Sequence, residues 1–265
     1  MNTTRKIVIH TSADIKGVDD SDSYIEIVHG QFENRFQELF EKFLPSKPTI
    51  FDIGANIGIV SIIAGKIRPG GRVFSFEAGA GVFEVQKDNV INNFMLNVTP
   101  VHCAVADFDG TISFSENSAY GHAVEESDQN DQQLSTVPCY SIDTHVDQYA
   151  PSGVDLIKLD IEGFEPQALK GAIRTIRSFD PVFLMEVNPW CIENYGKVDF
   201  AEFMRSIFNE FNYVYIINKH WHEDRPIREI NFENLMEMVN NSENLFVDDL
   251  VFCKSAKLSA VSSLN

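Results

Sequence analysis

A chain of 265 residues with 44% hydrophobic and 23% charged side chains has the composition of a soluble globular protein, long enough for one large domain with a full core. Its formal net charge of −18, with no lysine or arginine run, disfavours nucleic acid as a substrate, because phosphates must be met by cations. The first ten residues hold only Ile7-Val8-Ile9 as an apolar run, too short for a signal peptide or membrane span, so a cytoplasmic location is expected.

Lys6 to His10 and Tyr24 to Val28 read as short strands. A helix then carries Phe32, Phe36, Leu39, Phe40 and Phe43 on one stripe and ends before Pro45. Residues 1–48 are read as an extension covering the cleft, and residues 49–265 as the main domain. From Thr49 onward strands and helices alternate, which predicts an α/β fold: a doubly wound, mostly parallel sheet with helices on both faces. Ile50, Val73, Val101, Ile157, Phe183, Val214 and Phe246 centre seven principal strands. The last follows the sixth without a good crossover helix, so it is expected to insert antiparallel.

The first of these strands runs into Phe51-Asp52-Ile53-Gly54-Ala55-Asn56-Ile57-Gly58, and the second, Arg72 to Phe76, is followed by Glu77. Gly54 and Gly58 allow close backbone approach, free amides are expected at the helix start, and Glu77 is placed to take both hydroxyls of a ribose. Asn56 stands where a dinucleotide fingerprint needs its second glycine, which argues against an NAD(P)-dependent oxidoreductase, and no P-loop is present. Asp52 would repel a pyrophosphate but suits a ligand bearing an ammonium and a sulfonium. S-adenosyl-L-methionine has both.

Val154 to Glu165 (VDLIKLDIEGFE) begins as a buried strand and is broken by Gly163. Extended geometry puts Lys158, Asp160 and Glu162 on one side. Pro166 opens a helix in which Leu169, Ala172, Ile173 and Ile176 recur at helical spacing. The charged groups thus arrive at the carboxyl end of a parallel strand, where ligands of such sheets sit. A buried Lys158–Asp160 ion pair is the alternative.

With both motifs in hand, the chain resembles the FkbM family of S-adenosylmethionine-dependent methyltransferases. The resemblance runs from about Thr49 to Val187 and rests on FDIGANIG, VFSFE, AVADFDG (Ala104 to Gly110), DLIKLDIEGFEPQALKGA and FLMEV. It implies a class I, Rossmann-like fold and O-methylation of a saccharide or polyketide-type natural product. It also implies that Asp107 meets the adenine amino group, although ordinary turn chemistry in Asp107-Phe108-Asp109-Gly110 accounts for that acid as well. Ala78 stands where the family usually has proline, which is expected to loosen the turn after Glu77.

Asp52, Gly54, Asn56 and Gly58 are expected around the methionine moiety. Asp160 or Glu186 is the candidate general base, with Glu162 beside them and Lys158 moderating their repulsion. A Mg²⁺ held by these carboxylates is considered, but no metal is expected. A non-catalytic S-adenosylmethionine-binding protein is the remaining alternative. The polar stretch Ser115 to Ser135 suggests a lid, or else a solvated excursion. His220-Trp221-His222-Glu223-Asp224 reads as a surface loop, without a third ligand at metal spacing. Trp190 and Trp221 are candidates to stack on an acceptor ring, with His122 a weaker one. Cys103, Cys139, Cys191 and Cys253 are expected to be reduced and mostly buried.

Overall fold

A computed structural model describes residues 5–9, 11–15, 39–41, 43–115, 121–124, 134–217, 227–242 and 246–258. The expected strand at Tyr24 to Val28, Phe32 and Phe36, and the His220 to Asp224 segment lie outside them. The backbone groups into two compact units, one of residues Met1–Ala104 and Gly110–Cys139, the other of Val105–Asp109 and Tyr140–Asn265.

The first unit opens with an antiparallel hairpin of β1 (Arg5–Ile9) and β2 (Thr11–Ile15). Residues 39–41 and 43 are helical, with Leu39 and Phe40 buried. The Arg68 guanidinium closes that helix by donating to the carbonyls of Glu41 and Leu44. Next come β3 (Thr49–Ile53), α1 (Ile59–Ile67), β4 (Arg72–Glu77), α2 (Ala80–Asn92) and β5 (Val98–His102). β3 pairs in parallel with β4, Phe51 opposite Phe74, and β4 in parallel with β5. Every residue of β3 is buried, and Phe51 meets Phe74 and Phe76 edge-on at 5.6 and 5.2 Å. Such pairs add about 1 kcal/mol each beyond the area they bury. In α1 everything from Ile59 to Gly65 is buried, as its apolar run predicts.

β6 (Ala104–Ala106) precedes β7 (Gly110–Ser115), which pairs antiparallel with both β8 (His122–Val124) and β9 (Leu134–Ser141). The stretch read from sequence as one long excursion therefore contains strand at residues 122–124. Residues 116–120 and 125–133 of the expected lid lie outside the described residues.

In the second unit α3 (Ile142–Tyr149) leads to β10 (Leu156–Leu159), α4 (Glu165–Lys170), α5 (Ile173–Phe179) and β11 (Val182–Val187). Then follow α6 (Pro189–Asn194), α7 (Phe200–Glu210), β12 (Tyr213–Ile216), β13 (Arg228–Glu229), α8 (Phe232–Asn240) and β14 (Asp248–Cys253). β10 and β11 are parallel. β14 lies between β11 and β12 and is antiparallel to both, as expected of the last strand, with Phe183 stacked on Phe252 across the pairing. The fold is thus α/β and mostly parallel.

The helix expected from Pro166 through Ile176 is two helices. Asp143, on α3, accepts from the backbone N–H groups of Arg174 and Thr175 at 3.1 and 2.8 Å and from the Thr175 hydroxyl. An acid from another helix thereby caps α5 and fixes a new start at Ile173. α4 keeps the proline start read from sequence.

Candidate active site

The glycine turn between β3 and α1 takes three left-handed residues in five: Gly54 (φ 75°), Asn56 (φ 51°) and Gly58 (φ 88°). Glycine adopts that conformation at no steric cost, and asparagine is among the few other residues that tolerate it. The amides of Gly54 and Ala55 both donate to the Phe76 carbonyl, at 3.0 and 2.9 Å. Asn56 N–H donates to Glu77 Oε2 at 2.9 Å, Ile57 N–H to Asn56 Oδ1 at 2.7 Å, and Gly58 N–H to the Ala55 carbonyl at 2.9 Å. The turn therefore satisfies its own donors. β4, Asn56, Ala55 and Glu77 take these amides up because the turn folds back onto the end of the neighbouring strand; the amides expected to be free are those that open α1 at Ile59, one residue further on.

Glu77 ends β4, is 9% exposed, and accepts at Oε1 from Gly79 N–H at 2.8 Å. Burial pushes its carboxyl up from 4.5 to about 7, with the charge of Asp52 adding to the shift, against the opposing pull of the Gly79, Asn56 and Ala78 amides. A carboxylate has about four acceptor sites, so two amides leave room for a pair of hydroxyl donors. That donor set fits a ribose. The turn after Glu77 is not slack: Gly79 N–H holds the carboxylate, and His102 Nε2 lies 3.0 Å from the Ala78 carbonyl.

Asp52 is 1% exposed and works inward. Its Oδ2 accepts from the Ser61 hydroxyl at 2.5 Å, and Ser61 is 2.6 Å from the Ser75 hydroxyl. This buried chain ties β3, α1 and β4 together. Its only signal in the sequence is a lone serine in each of two apolar runs. Asp107 is exposed, in the second unit. The turn chemistry belongs to its neighbour Asp109, which accepts from Ser141 N–H at 2.9 Å and the Thr144 hydroxyl at 2.8 Å; these bonds lower its carboxyl below the ordinary range.

The second charged motif folds at the end of β10, within the second unit. Lys158 is 5% exposed, and its Nζ donates to Asp160 Oδ2 at 3.0 Å. Asp160, Glu162 and Glu186 bring carboxylate oxygens within 4.8 Å of one another. Glu186 also stands directly opposite Asp249 across β11 and β14. All four residues expected from sequence to carry the chemistry are thus gathered in one place.

Sequence reading missed Glu165, because an acid before a proline looks like an exposed helix start. It is 2% exposed, accepts from Ile161 N–H at 2.9 Å, and is pushed up to about 7 by burial, with Asp160 and Glu162 adding to the shift. Burial, and then the negative charge of Glu162, also raise the Cys191 thiol, which donates to Glu162 Oε2 at 3.2 Å. The loop between β10 and α4 approaches α6 closely. At Gly163 (φ 99°) a Cβ would stand 2.2 Å from the Cys191 carbonyl oxygen, so no side chain fits. Trp190, the first residue after Pro189 in α6, is 47% exposed and meets Tyr195 edge-on at 5.1 Å.

A glycine turn closed by the acid of the next strand, in a mostly parallel α/β fold, is an arrangement of the Rossmann kind. The comparisons with known proteins narrow this. Residues 52–215 match the methyltransferase FkbM domain, and the chain belongs to that family. The methyltransferase sdnD of Sordaria araneosa is 25% identical over 159 residues, 48% of this chain and 61% of that protein, so the match spans about three-fifths of the relative's length. Methyltransferase FkbM of Methylobacillus flagellatus KT is similar in structure, with a TM-score of 0.48, 18% identity, and coverage of 78% of this chain and 44% of that one. Precorrin-6y C5,15-methyltransferase of Geobacter metallireducens GS-15 has a TM-score of 0.49 and 16% identity, over 90% of this chain and 98% of that one. Resemblances this distant say nothing about which molecule is methylated.

The four cysteines are buried thiols with no disulfide among them. Among the described residues, no helix is long and apolar enough to cross a membrane.

Proposed function

We infer that this chain is an S-adenosylmethionine-dependent methyltransferase acting on a hydroxyl of a saccharide or polyketide-type molecule. The observation that carries the reading is Glu77, a buried carboxylate held by the amides of Asn56 and Gly79 with acceptor sites to spare for a ribose. Membership of the FkbM family supports the same donor. S-adenosylmethionine, when bound, supplies an electrophilic methyl group on a sulfonium. The residues of the chain do the rest: Gly54 to Gly58 and Glu77 hold the nucleoside and methionine parts, with Asp52 bracing the turn through Ser61. Asp107 is the candidate for the adenine amino group.

At the end of β10, Asp160 or Glu186 takes the proton of the acceptor hydroxyl, and Lys158 steadies the oxygen as it becomes negative. Trp190, exposed and braced by Tyr195, offers a flat apolar face to a ring-shaped acceptor. Residues 1–48 are proposed as an extension shaping access to the main domain of 49–265. A cytoplasmic setting is supported by buried thiols without a disulfide.

Titration with S-adenosylhomocysteine and with NAD tests the donor: heat from NAD alone would transfer the chain to the oxidoreductases. Release of S-adenosylhomocysteine across a panel of glycans and macrolides tests turnover, and tight binding with no turnover would leave a binding protein. The convergence of Asp160, Glu162 and Glu186 favours one second reading, in which a hard divalent cation shares their oxygens and orients the acceptor. Turnover lost to a chelator and restored by Mg²⁺ would establish it.

A further inference from the structure

The inner face of α2 carries two buried amides one helical turn apart, and both meet the glycine turn. Asn89, wholly buried, donates from Nδ2 to the Ile57 carbonyl at 2.9 Å. Gln86 is also wholly buried, and its Cγ lies 3.1 Å from where a Cβ on Gly58 would stand. Neither Gln86 Oε1 nor Nε2 has a hydrogen-bond partner among the described residues. A buried amide with both ends unspent costs stability that leucine or methionine would not, and such breaches of local economy are expected where function needs them.

The turn explains what a spare amide is for. Its five amides are all taken up internally, by Phe76, Glu77, Asn56 and Ala55. A nucleoside that draws one of these N–H groups to itself leaves the oxygen that had accepted it, on Phe76, Glu77, Asn56 or Ala55, short of a donor. We propose that Gln86 and Asn89 are positioning residues of the methyl-donor site: Asn89 fixes the turn at Ile57, and Gln86 supplies the bond the turn gives up when the donor binds. Neither touches the reacting atoms. The proposal rests on the reading of the glycine turn as the donor site.

The test uses the full chain, with S-adenosylhomocysteine as the probe in calorimetry. Asn89→Leu removes the donor at similar volume; its affinity should fall about tenfold, the worth of one good hydrogen bond, with kcat at saturating methyl donor nearly unchanged. Asn89→Ser gives the same reading if the leucine variant does not fold. Gln86→Met should melt at a higher temperature than the parent yet bind the probe more weakly, a split that mere packing would not produce. Wild-type affinity in either variant overturns the role of that residue. If the parent chain itself ignores the probe, the donor reading has failed, and hydrogen exchange still decides the Asn89 part of the proposal. Asn89→Leu should speed exchange of the amides of residues 54–58, and unchanged exchange overturns it.

Discussion

In the first unit every amide from Gly54 to Gly58 has a partner within 3.0 Å, and the acid at the rim, Glu77, is held by two of the chain's own N–H groups. In the second unit three carboxylates crowd within 4.8 Å beside one buried ammonium, Lys158. In the first region the backbone donors of the glycine turn are all engaged. The other keeps like charges in competition. Yet each contains one carboxyl raised to about 7 by burial, Glu77 in the first and Glu165 in the second, and each of these accepts a backbone amide from a turn. Both of these turns are fastened to buried acids.

Replacing Lys158 breaks the comparison most severely. Lys158→Met takes the buried partner from Asp160 and should cost about a thousandfold in kcat, with a loss of stability on the order of 2–3 kcal/mol because Asp160 remains partly in solvent. Single-turnover rates and a denaturation curve measure the two effects. A stability loss without the rate loss would reduce the cluster to scaffolding.

Acidity probes both regions at once. For Glu77 and Glu165 the folded value lies above the ordinary 4.5, so the native state holds the proton more tightly than the unfolded chain does. Stability is therefore greatest at or below about pH 4.5 as far as these groups decide it, falls as the pH rises towards about 7, and is level above that, by roughly 3 kcal/mol for each group at most. Affinity for the donor should run the other way, rising as Glu77 ionises to meet a ribose. Glu165→Gln should flatten part of the stability slope and leave the affinity slope intact.

Glu77→Gln separates the regions. The amide can accept with one oxygen only, so donor affinity should fall about tenfold to a hundredfold while the acid cluster is untouched. Calorimetry at pH 8 would show it. The smallest effect is expected at Asp143→Ala, which removes the cap of α5 for about 1 kcal/mol in a urea titration and should leave donor affinity unchanged.

The parts legible in the sequence are those whose cause is local. Phe51 to Gly58 announces strand, turn and helix within a dozen residues, and Leu156 to Gly163 announces a buried strand that stops. Lys158, Asp160, Glu162 and Glu186 could be grouped because strand ends in a parallel sheet share an edge. What escaped was set by partners distant in sequence. The split between α4 and α5 follows from Asp143, some thirty residues upstream, and the hold on the glycine turn from Asn89, 32 residues after Ile57. The pairing of β7 with β8 and β9 was hidden because polar, acidic composition reads as loop.

The contact at Gly163 has a counterpart: a Cβ on Gly196 would lie 2.1 Å from the Gly163 carbonyl oxygen, just as one on Gly163 would meet Cys191. In a saturation library both positions should stay blank except for the parent residue. With both glycines locked, variation around this loop is left to exposed positions such as Trp190.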